Sequence, residues 1–382
     1  MQDLDVSRPL DWQSFEQALP SQWRELAVKH RLIGHRKLPP HLGAKVKDIS
    51  DIVRLVLYQV ATNSGLESAT SAFAAVGLLT ISFVALHKWM KKIGPYLQEL
   101  VARMVSEEHA VFAPERWAGY EVIVTDASCV ERPGAKGTTA RLHYALRLTD
   151  LRPVEAHITD ETGGETLRRF HPEPGQLWIG DRGYANSPSI AHAIARGADV
   201  LIRHNRWSLP LYDINGKLLD VVEKLGRLVK TGRVREWKAW VHPDKGDPIV
   251  GRLIAVRLPA DKASEARKRV RKEHGSKASE EQLWMSQFVV LFTTVPNLKL
   301  TADQLVELYR LRWQVELEFK RAKSLTGLDK LPNFLPETIA SWIAAKLLLQ
   351  QILRAVAVRC STDAFSPSAL AQAILTPSSH AA

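Results

Sequence analysis

The sequence has little cysteine and no long hydrophobic run. Its 382 residues include two cysteines, Cys129 and Cys360, which excludes a disulfide framework or a cysteine-based zinc site and suits a reducing compartment. The first ten residues are charged rather than apolar, so we expect no secretory signal peptide. The most apolar late segment, residues 339–358, is interrupted by charged and amide side chains between Lys346 and Arg354. We therefore expect a packed helix, no membrane partner and a cytoplasmic location.

Several catalytic motifs are also missing. The chain has no Gly-rich phosphate loop, no His-Glu-x-x-His pair, no nucleophile-elbow serine and no internal repeat. These absences leave no basis for a P-loop enzyme, a zinc protease or a Ser-His-Asp hydrolase. The thirteen histidines are scattered, and each taken alone is more often a structural or surface residue than a metal ligand.

Positive charge is what the chain has in excess. Fifty-two Lys and Arg against forty-one Asp and Glu give a net charge of +11 and a pI of about 9.6. Such a charge favours a polyanionic partner, because neutralising phosphates releases counterions. Nucleic acid is therefore the expected partner.

The first 112 residues are expected to form a helical DNA-binding domain. Within it, residues 64–93 have the pattern helix, glycine turn, helix, with Lys88, Lys91 and Lys92 on the second helix. This pattern is typical of a helix-turn-helix whose later helix enters the major groove. A plain pair of antiparallel helices with a basic, solvated end explains it equally well.

Beyond this domain the sequence pattern changes to strand-like runs alternating with helical segments. This pattern predicts an α/β fold with a mixed sheet covered by helices. We divide this part into a first core segment at 113–205 and a β-rich insertion at 206–287. A second core segment follows at 288–360, and then a tail at 361–382 that we expect to be poorly ordered. The length favours two or three domains.

The chain is organised around a run without Gly or Pro, Ala302 to Thr326, which we read as one helix. At 100° per residue an arc beside the apolar stripe carries five polar residues. They are Tyr309, Arg312, Glu316, Lys320 and Lys323. One interpretation is a ladder of i,i+4 ion pairs with no further role. The other is a metal-binding carboxylate flanked by cations that hold phosphates.

Two further carboxylates favour the second interpretation. Asp126 and Asp181 each follow an apolar strand-like run and stand beside small residues, where a hard cation can approach. Each taken alone is more often a turn residue or a helix cap. Together with Glu316, they could hold a pair of divalent ions for phosphoryl transfer. Oxygen-only ligands favour Mg²⁺ or Mn²⁺ over zinc.

These residues resemble a known family. The spacing Tyr309, two residues, Arg312, three residues, Glu316, six residues, Lys323 matches the signature of bacterial insertion-sequence transposases with an Asp-Asp-Glu site. The sequence Gly-Asp-Arg-Gly-Tyr at 180–184 is similar to that family's second-aspartate motif. Asp126, followed by two small residues, is similar to its first.

The resemblance implies a ribonuclease-H-like catalytic core, binding to the terminal inverted repeats of a mobile element, and action as a homodimer on DNA in the bacterial nucleoid. Asp126, Asp181 and Glu316 would be the catalytic metal ligands, with Mg²⁺ as cofactor and Mn²⁺ as a substitute. DNA contacts would come from Tyr309, Arg312, Lys320, Lys323 and Arg182, and from the basic helix. Some relatives cut through a DNA hairpin and stack an extruded base on an aromatic residue. Phe288, Trp284 and Trp237 are candidates for that residue, and none fits clearly.

Two other functions remain compatible with the residues. One is a ribonuclease-H-like nuclease or junction resolvase that cleaves DNA without joining it. The other is a DNA-binding regulator that uses residues 1–110, while the ion-pair ladder merely stabilises its helix. Mg²⁺-dependent cleavage distinguishes the regulator, and joining of a pre-cut 3′ end distinguishes the resolvase.

Overall fold

The computed structural model describes residues 12–33, 46, 48–106, 117–131, 137–149, 152–328, 331 and 336–360. The predicted tail at 361–382 lies outside the described residues.

The described strands form one sheet with helices on both faces. They are β1 (Glu121–Val130), β2 (Ala140–Arg147), β3 (Arg152–Asp160), β4 (Gln176–Gly180), β5 (Asp199–Arg203), β6 (Val234–Val241), β7 (Ile249–Arg257) and β8 (Phe288–Thr293). Their order across the sheet is β3-β2-β1-β4-β5-β8-β7-β6. Strands β1, β4 and β5 are parallel, and the remaining neighbours are antiparallel. The predicted mixed α/β, ribonuclease-H-like fold class is confirmed.

The register of β1 and β4 places two acids side by side. Their parallel pairing runs to Val124 opposite Ile179, so Asp126 and Asp181 each lie two residues beyond the last pair. The expectation that β1 ends before Asp126 is wrong. The strand continues to Val130, because β2 still pairs with it after β4 has ended.

The N-terminal part is helical as predicted, with some different boundaries. Its described helices are α1 (Trp12–Glu16), α2 (Trp23–Lys29), α3 (Ile49–Thr62), α4 (Leu66–Ala75), α5 (Phe83–Lys92) and α6 (Gly94–Ser106). Helices α1 and α2 are two short helices, since Pro20 lies between them and proline lacks the N–H a continuous helix needs. Ser82 caps α5 by accepting from the Ala85 N–H at 3.2 Å. Gly65 occupies the N-cap of α4 without a side-chain hydrogen bond.

Helices α4 and α5 are the predicted helix pair, joined by residues 76–82 with Gly77 in the left-handed region at φ +72°. This connection is longer than the three or four residues usual in a helix-turn-helix. Its role in reading DNA stays a prediction.

The helical part and the sheet share one hydrophobic core. The long helix α13 (Pro336–Cys360) packs against α3, α5 and α6, and its Trp342 and Ile343 join the cluster that includes Val122 and Val124 of β1. By length and composition Thr338–Val356 could cross a membrane, but 78% of that window is buried inside the protein. It is therefore a core helix, as predicted. The boundary at 112 divides the chain by sequence and not by packing, and the division into domains remains a prediction.

Between β4 and β8 lie α7 (Ser187–Ala195), α8 (Val221–Gly226), α9 (Ala260–His274) and α10 (Glu280–Met285). Strands β6 and β7 of the predicted insertion extend the sheet beyond β8. The basic run at 267–272 lies on α9.

The single helix predicted over 302–326 is wrong. The chain forms α11 (Ala302–Arg310) and α12 (Trp313–Thr326) with a tight turn between them. At this turn the N–H groups of Leu311 and Arg312 donate to carbonyls three residues back, at 3.0 and 3.1 Å. Such i→i−3 bonds tighten the backbone and interrupt the 3.6-residue repeat.

Candidate active site

The three acids predicted from the sequence meet at one edge of the central strands. Side chains alternate along β1, so Asp126 shares a face with the buried Val122 and Val124, the face on which α12 packs. Asp181 follows β4 directly, and Glu316 lies in the first turn of α12.

Arg312 joins two of these carboxylates. Its Nη1 lies 3.5 Å from Oδ2 of Asp126, and its Nη2 donates to Oε1 of Glu316 at 2.5 Å. The ion pair with Glu316 is the i,i+4 contact of the first sequence interpretation. The contact with Asp126 goes beyond a helix ladder, because it links α12 to the strand that carries another acid.

The third acid, Asp181, lies within electrostatic range of Asp126. Burial is the largest cause of a pKa of about 6 for Asp126; the nearby Asp181 and Glu316 carboxylates also raise the pKa, while Arg312 and the Ala127 N–H lower it. The Asp126 side chain is 15% exposed. A positive charge supplied between these oxygens would relieve the repulsion.

Asp181 is held in place by the turn that follows it. Its Oδ1 accepts from the Gly183 N–H at 2.8 Å and caps a 3₁₀ turn at Arg182–Tyr184. Tyr184 is fully buried, and a Cβ on Gly180 would lie 2.9 Å from its Cβ. The glycine at 180 therefore allows Tyr184 to pack closely against the backbone just before Asp181.

A fourth carboxylate, Glu165, was not identified from the sequence. A Cβ on Gly183 would lie 1.5 Å from Glu165 Oε2, so the second glycine of the motif leaves room for this side chain. Burial raises the pKa of Glu165 to about 7, and Asp181 and Asp126 raise it as well. Its only local signal is a Gly-Gly-Glu turn at 163–165, which predicts no site.

The predicted DNA-contacting residues fall into two groups. Tyr309 hydrogen-bonds Arg312 and lies within electrostatic range of Asp181. Lys320 is exposed and Lys323 half-buried on α12. Lys88, Lys91 and Lys92 are exposed on α5, a helix that packs against α4, α6 and α13.

A basic cavity is lined in part by Arg182, the residue that follows Asp181. Its volume is about 400 Å³, and its lining includes Arg182, Arg203 and Arg269 together with Trp207. The Trp207 side chain is 76% exposed, and the Arg206 guanidinium lies 4.5 Å from its ring centroid.

The aromatic candidates named from the sequence have a different environment. Phe288 is buried in the core, the Trp284 ring lies tilted against it with centroids 5.0 Å apart, and Trp237 packs on the same cluster. Trp207 was missed because it follows a strand end with no pattern of its own.

Comparison with known proteins identifies a family for the chain. Residues 117–349 match the family described as Transposase DDE domain. The chain is 30% identical over 313 residues to the transposase for insertion sequence element IS421 of Escherichia coli, covering 80% of this chain and 84% of that protein. It is also 30% identical over 312 residues to the putative transposase InsL for IS186A of Escherichia coli strain K12, with the same coverage.

A more distant relative matches a shorter part. The transposase for insertion sequence element IS231F of Bacillus thuringiensis subsp. israelensis is 28% identical over 202 residues, which is 48% of this chain and 41% of that protein. The family match spans the strands and helix that carry all three acids. The chain belongs to the DDE transposase family of bacterial insertion sequences, whose members cleave and transfer DNA.

Proposed function

We propose that this transposase binds the inverted repeats at the ends of its insertion sequence and cuts one strand there. It then joins the resulting 3′ hydroxyl to a target duplex. Asp126, Asp181 and Glu316 are the catalytic residues and hold two Mg²⁺ ions, for which Mn²⁺ substitutes.

One observation supports the proposal most directly. Three carboxylates from separate elements lie within electrostatic range of one another, and the Arg312 guanidinium contacts two of them, Asp126 and Glu316. The three carboxylates offer only oxygen atoms as metal ligands, and these are the donors that Mg²⁺ and Mn²⁺ prefer. When bound, the ions would activate water or a 3′ hydroxyl and would stabilise the leaving oxygen. The nearby Asp181 and Glu316 carboxylates raise the pKa of Asp126, which supports assigning all three acids to the same pair of ions.

The neighbouring side chains position the DNA. Lys320 and Lys323 follow Glu316 along α12, and Tyr309 precedes it across the turn, so all three can reach phosphates on either side of the scissile one. Arg312 holds Asp126 and Glu316 in the resting enzyme. We propose that it exchanges these contacts for a phosphate when cations occupy the carboxylates.

Arg182 links the carboxylates to the basic cavity. Because the cavity combines arginines with the exposed ring of Trp207, it suits a phosphate and an extruded base. We propose that a hairpin route, if this transposase uses one, stacks that base on Trp207.

Recognition of the element ends is assigned to the helical part, with Lys88, Lys91 and Lys92 of α5 on the phosphates or in the groove. A homodimer holds two ends together in the DNA complex, in the cytoplasm and on the nucleoid.

The test uses Asp181→Asn, which keeps an oxygen that can accept from Gly183 but removes the charge. With duplex carrying the element end, this variant should bind as the wild type does and lose Mg²⁺-dependent nicking by at least about 10²-fold. Asp247→Asn, at an exposed position, is the matched control and should nick normally.

A pre-cut end tests the joining step. The wild type should transfer a 3′ end supplied in advance to a second duplex, and Asp181→Asn should not. Nicking retained in Asp181→Asn would contradict the assignment of the acids. Nicking without joining would favour a nuclease.

A further inference from the structure

A second cluster of ligand-type side chains lies on β3, the edge strand. Glu155 and His157 are two residues apart on this strand, and His171 follows the short 3₁₀ turn at Leu167–Arg169. Oε2 of Glu155 lies 2.9 Å from Nε2 of His157 and 2.9 Å from Nδ1 of His171. One ligand atom from each residue lies within 4.8 Å of the other two.

The surrounding structure holds the three side chains together. Residues i and i+2 of a strand point to the same face, so Glu155 and His157 converge without a special turn. Phe170 is buried and anchors the segment before His171, and its ring meets the His157 ring edge-on at 5.3 Å. The His171 N–H donates to Oε1 of Glu155 at 2.7 Å, which fixes the carboxylate and leaves Oε2 toward the imidazoles.

This cluster is separate from the candidate active site. Ala156 pairs with Tyr144, and Tyr144 pairs with Asp126, so β3 lies two strands, about 10 Å, from Asp126. Glu155 and His157 point to the sheet face opposite Asp126, since Ala145, the partner of Glu155, packs in a second buried cluster with Ile123, which alternates with Val122 and Val124 along β1.

The donor types favour a transition metal. Two imidazole nitrogens and one carboxylate oxygen suit zinc, whereas Mg²⁺ prefers oxygen alone. Zinc ligands at about 2.0–2.1 Å in a tetrahedron stand about 3.3 Å apart. The 2.9 Å separations therefore need to open by only a few tenths of an ångström, and a water would complete the shell.

We propose that Glu155, His157 and His171 form a zinc site that ties the edge strand β3 to the segment leading into β4. The site is independent of the transposition chemistry assigned to Asp126, Asp181 and Glu316. The competing explanation is that the two imidazoles only donate hydrogen bonds to the carboxylate.

The test measures zinc bound by the full chain after dialysis in excess Mg²⁺, which occupies oxygen-only sites. The wild type should retain one more equivalent of zinc than His171→Ala. Because the His171 side chain is 68% exposed, this variant should remain folded. His242→Ala, at an exposed histidine far along the sequence, is the control and should retain the wild-type amount, as should Asp181→Asn.

A thermal measurement gives a second readout. Zinc should raise the midpoint of unfolding of the wild type and of His242→Ala, because a ligand that binds only the folded state stabilises it. It should leave His171→Ala and Glu155→Gln unchanged. Equal zinc content and equal thermal shifts in wild type and His171→Ala would overturn the proposal and leave a hydrogen-bonded cluster.

Discussion

Asp126 carries its negative charge in an unfavourable place. Burial and the neighbouring Asp181 and Glu316 hold its pKa at about 6, above the ordinary aspartate value. In the unfolded chain the side chain ionises at lower pH. The folded state therefore loses stability as the pH rises from about 4 through 6, and the full penalty remains above that range.

This penalty gives a prediction for the metal-free protein. Asp126→Asn should raise the free energy of unfolding by about 1–3 kcal/mol at pH 8 in the presence of a chelator, and the difference should vanish near pH 4. Urea unfolding at the two pH values measures it. Asp247→Asn serves as the exposed control and should change neither value. An Asp126→Asn protein less stable than the wild type at pH 8 would contradict the electrostatic account.

Among the residues of the candidate site, the sequence identified those that belong to a recognisable local sequence pattern. Asp126 and Asp181 follow apolar runs and stand beside small residues, and Glu316 belongs to a spaced motif. Glu165 and His171 lie in the segment between β3 and β4, where no periodicity applies. Their partners are decided by how that segment folds back on the sheet, which a local pattern does not contain.

At the scale of elements, the turn between α11 and α12 is the main departure from expectation. Every residue from Ala302 to Thr326 is compatible with a helix, so propensity alone predicts one. The structure instead places a tight turn at Leu311 and Arg312, from which Arg312 reaches both Asp126 and Glu316. Tertiary contacts with β1 outweigh the local preference. The central strands were easier to predict, because burial on both sheet faces gives them continuous apolar runs.

The segment after β5 combines with α9 and α10 to form the basic cavity, and Trp207 gives it an aromatic wall. Trp207→Ala should reduce hairpin formation at a nicked element end by about 10-fold or more, since stacking of one base contributes about 1–3 kcal/mol. First-strand nicking should stay within about twofold of the wild type. Denaturing gels of end-labelled duplex separate the two products.

Trp313→Ala is a matched control, because Trp313 is also exposed, at 48%, but does not line the cavity. If Trp207→Ala forms the hairpin as the wild type does, Trp207 does not stack the extruded base.

On the scale of the whole molecule, one buried lysine connects the helical part to α12, the helix that carries Glu316. Lys346 of α13 is fully buried and donates to Oδ1 of Asn63 at 2.7 Å and to the Gly327 carbonyl. Asn63 and Gly327 are the left-handed C-caps of α3 and α12. A single side chain therefore joins the ends of two helices from distant parts of the sequence.

Lys346→Met should lower the free energy of unfolding by about 1–3 kcal/mol, because the buried Gly327 carbonyl loses its Lys346 donor and the hydrogen bond to Asn63 is lost. Lys217→Met, at an exposed position, should have an effect below about 0.5 kcal/mol. Chemical unfolding curves measure both. Equal midpoints for the two variants would show that the connection contributes little.

The sequence predicted the order of the parts and their class, since periodicity changes from helical to strand-like near residue 120. It did not predict that the helical part and the sheet share one core, or that β6 and β7 extend that sheet. Both depend on contacts between residues far apart in the chain, which composition and spacing do not encode.

The central claim is that Asp126, Asp181 and Glu316 hold divalent ions together. A crystal of the protein with element-end DNA and Mn²⁺, measured at the manganese absorption edge, tests it most directly. We expect anomalous peaks about 2.1 Å from carboxylate oxygens of all three residues. We also expect Arg312 to have lost its contact with Asp126, with Glu316 or with both. Ions bound elsewhere, with Arg312 still joining Asp126 to Glu316 in the DNA complex, would contradict it.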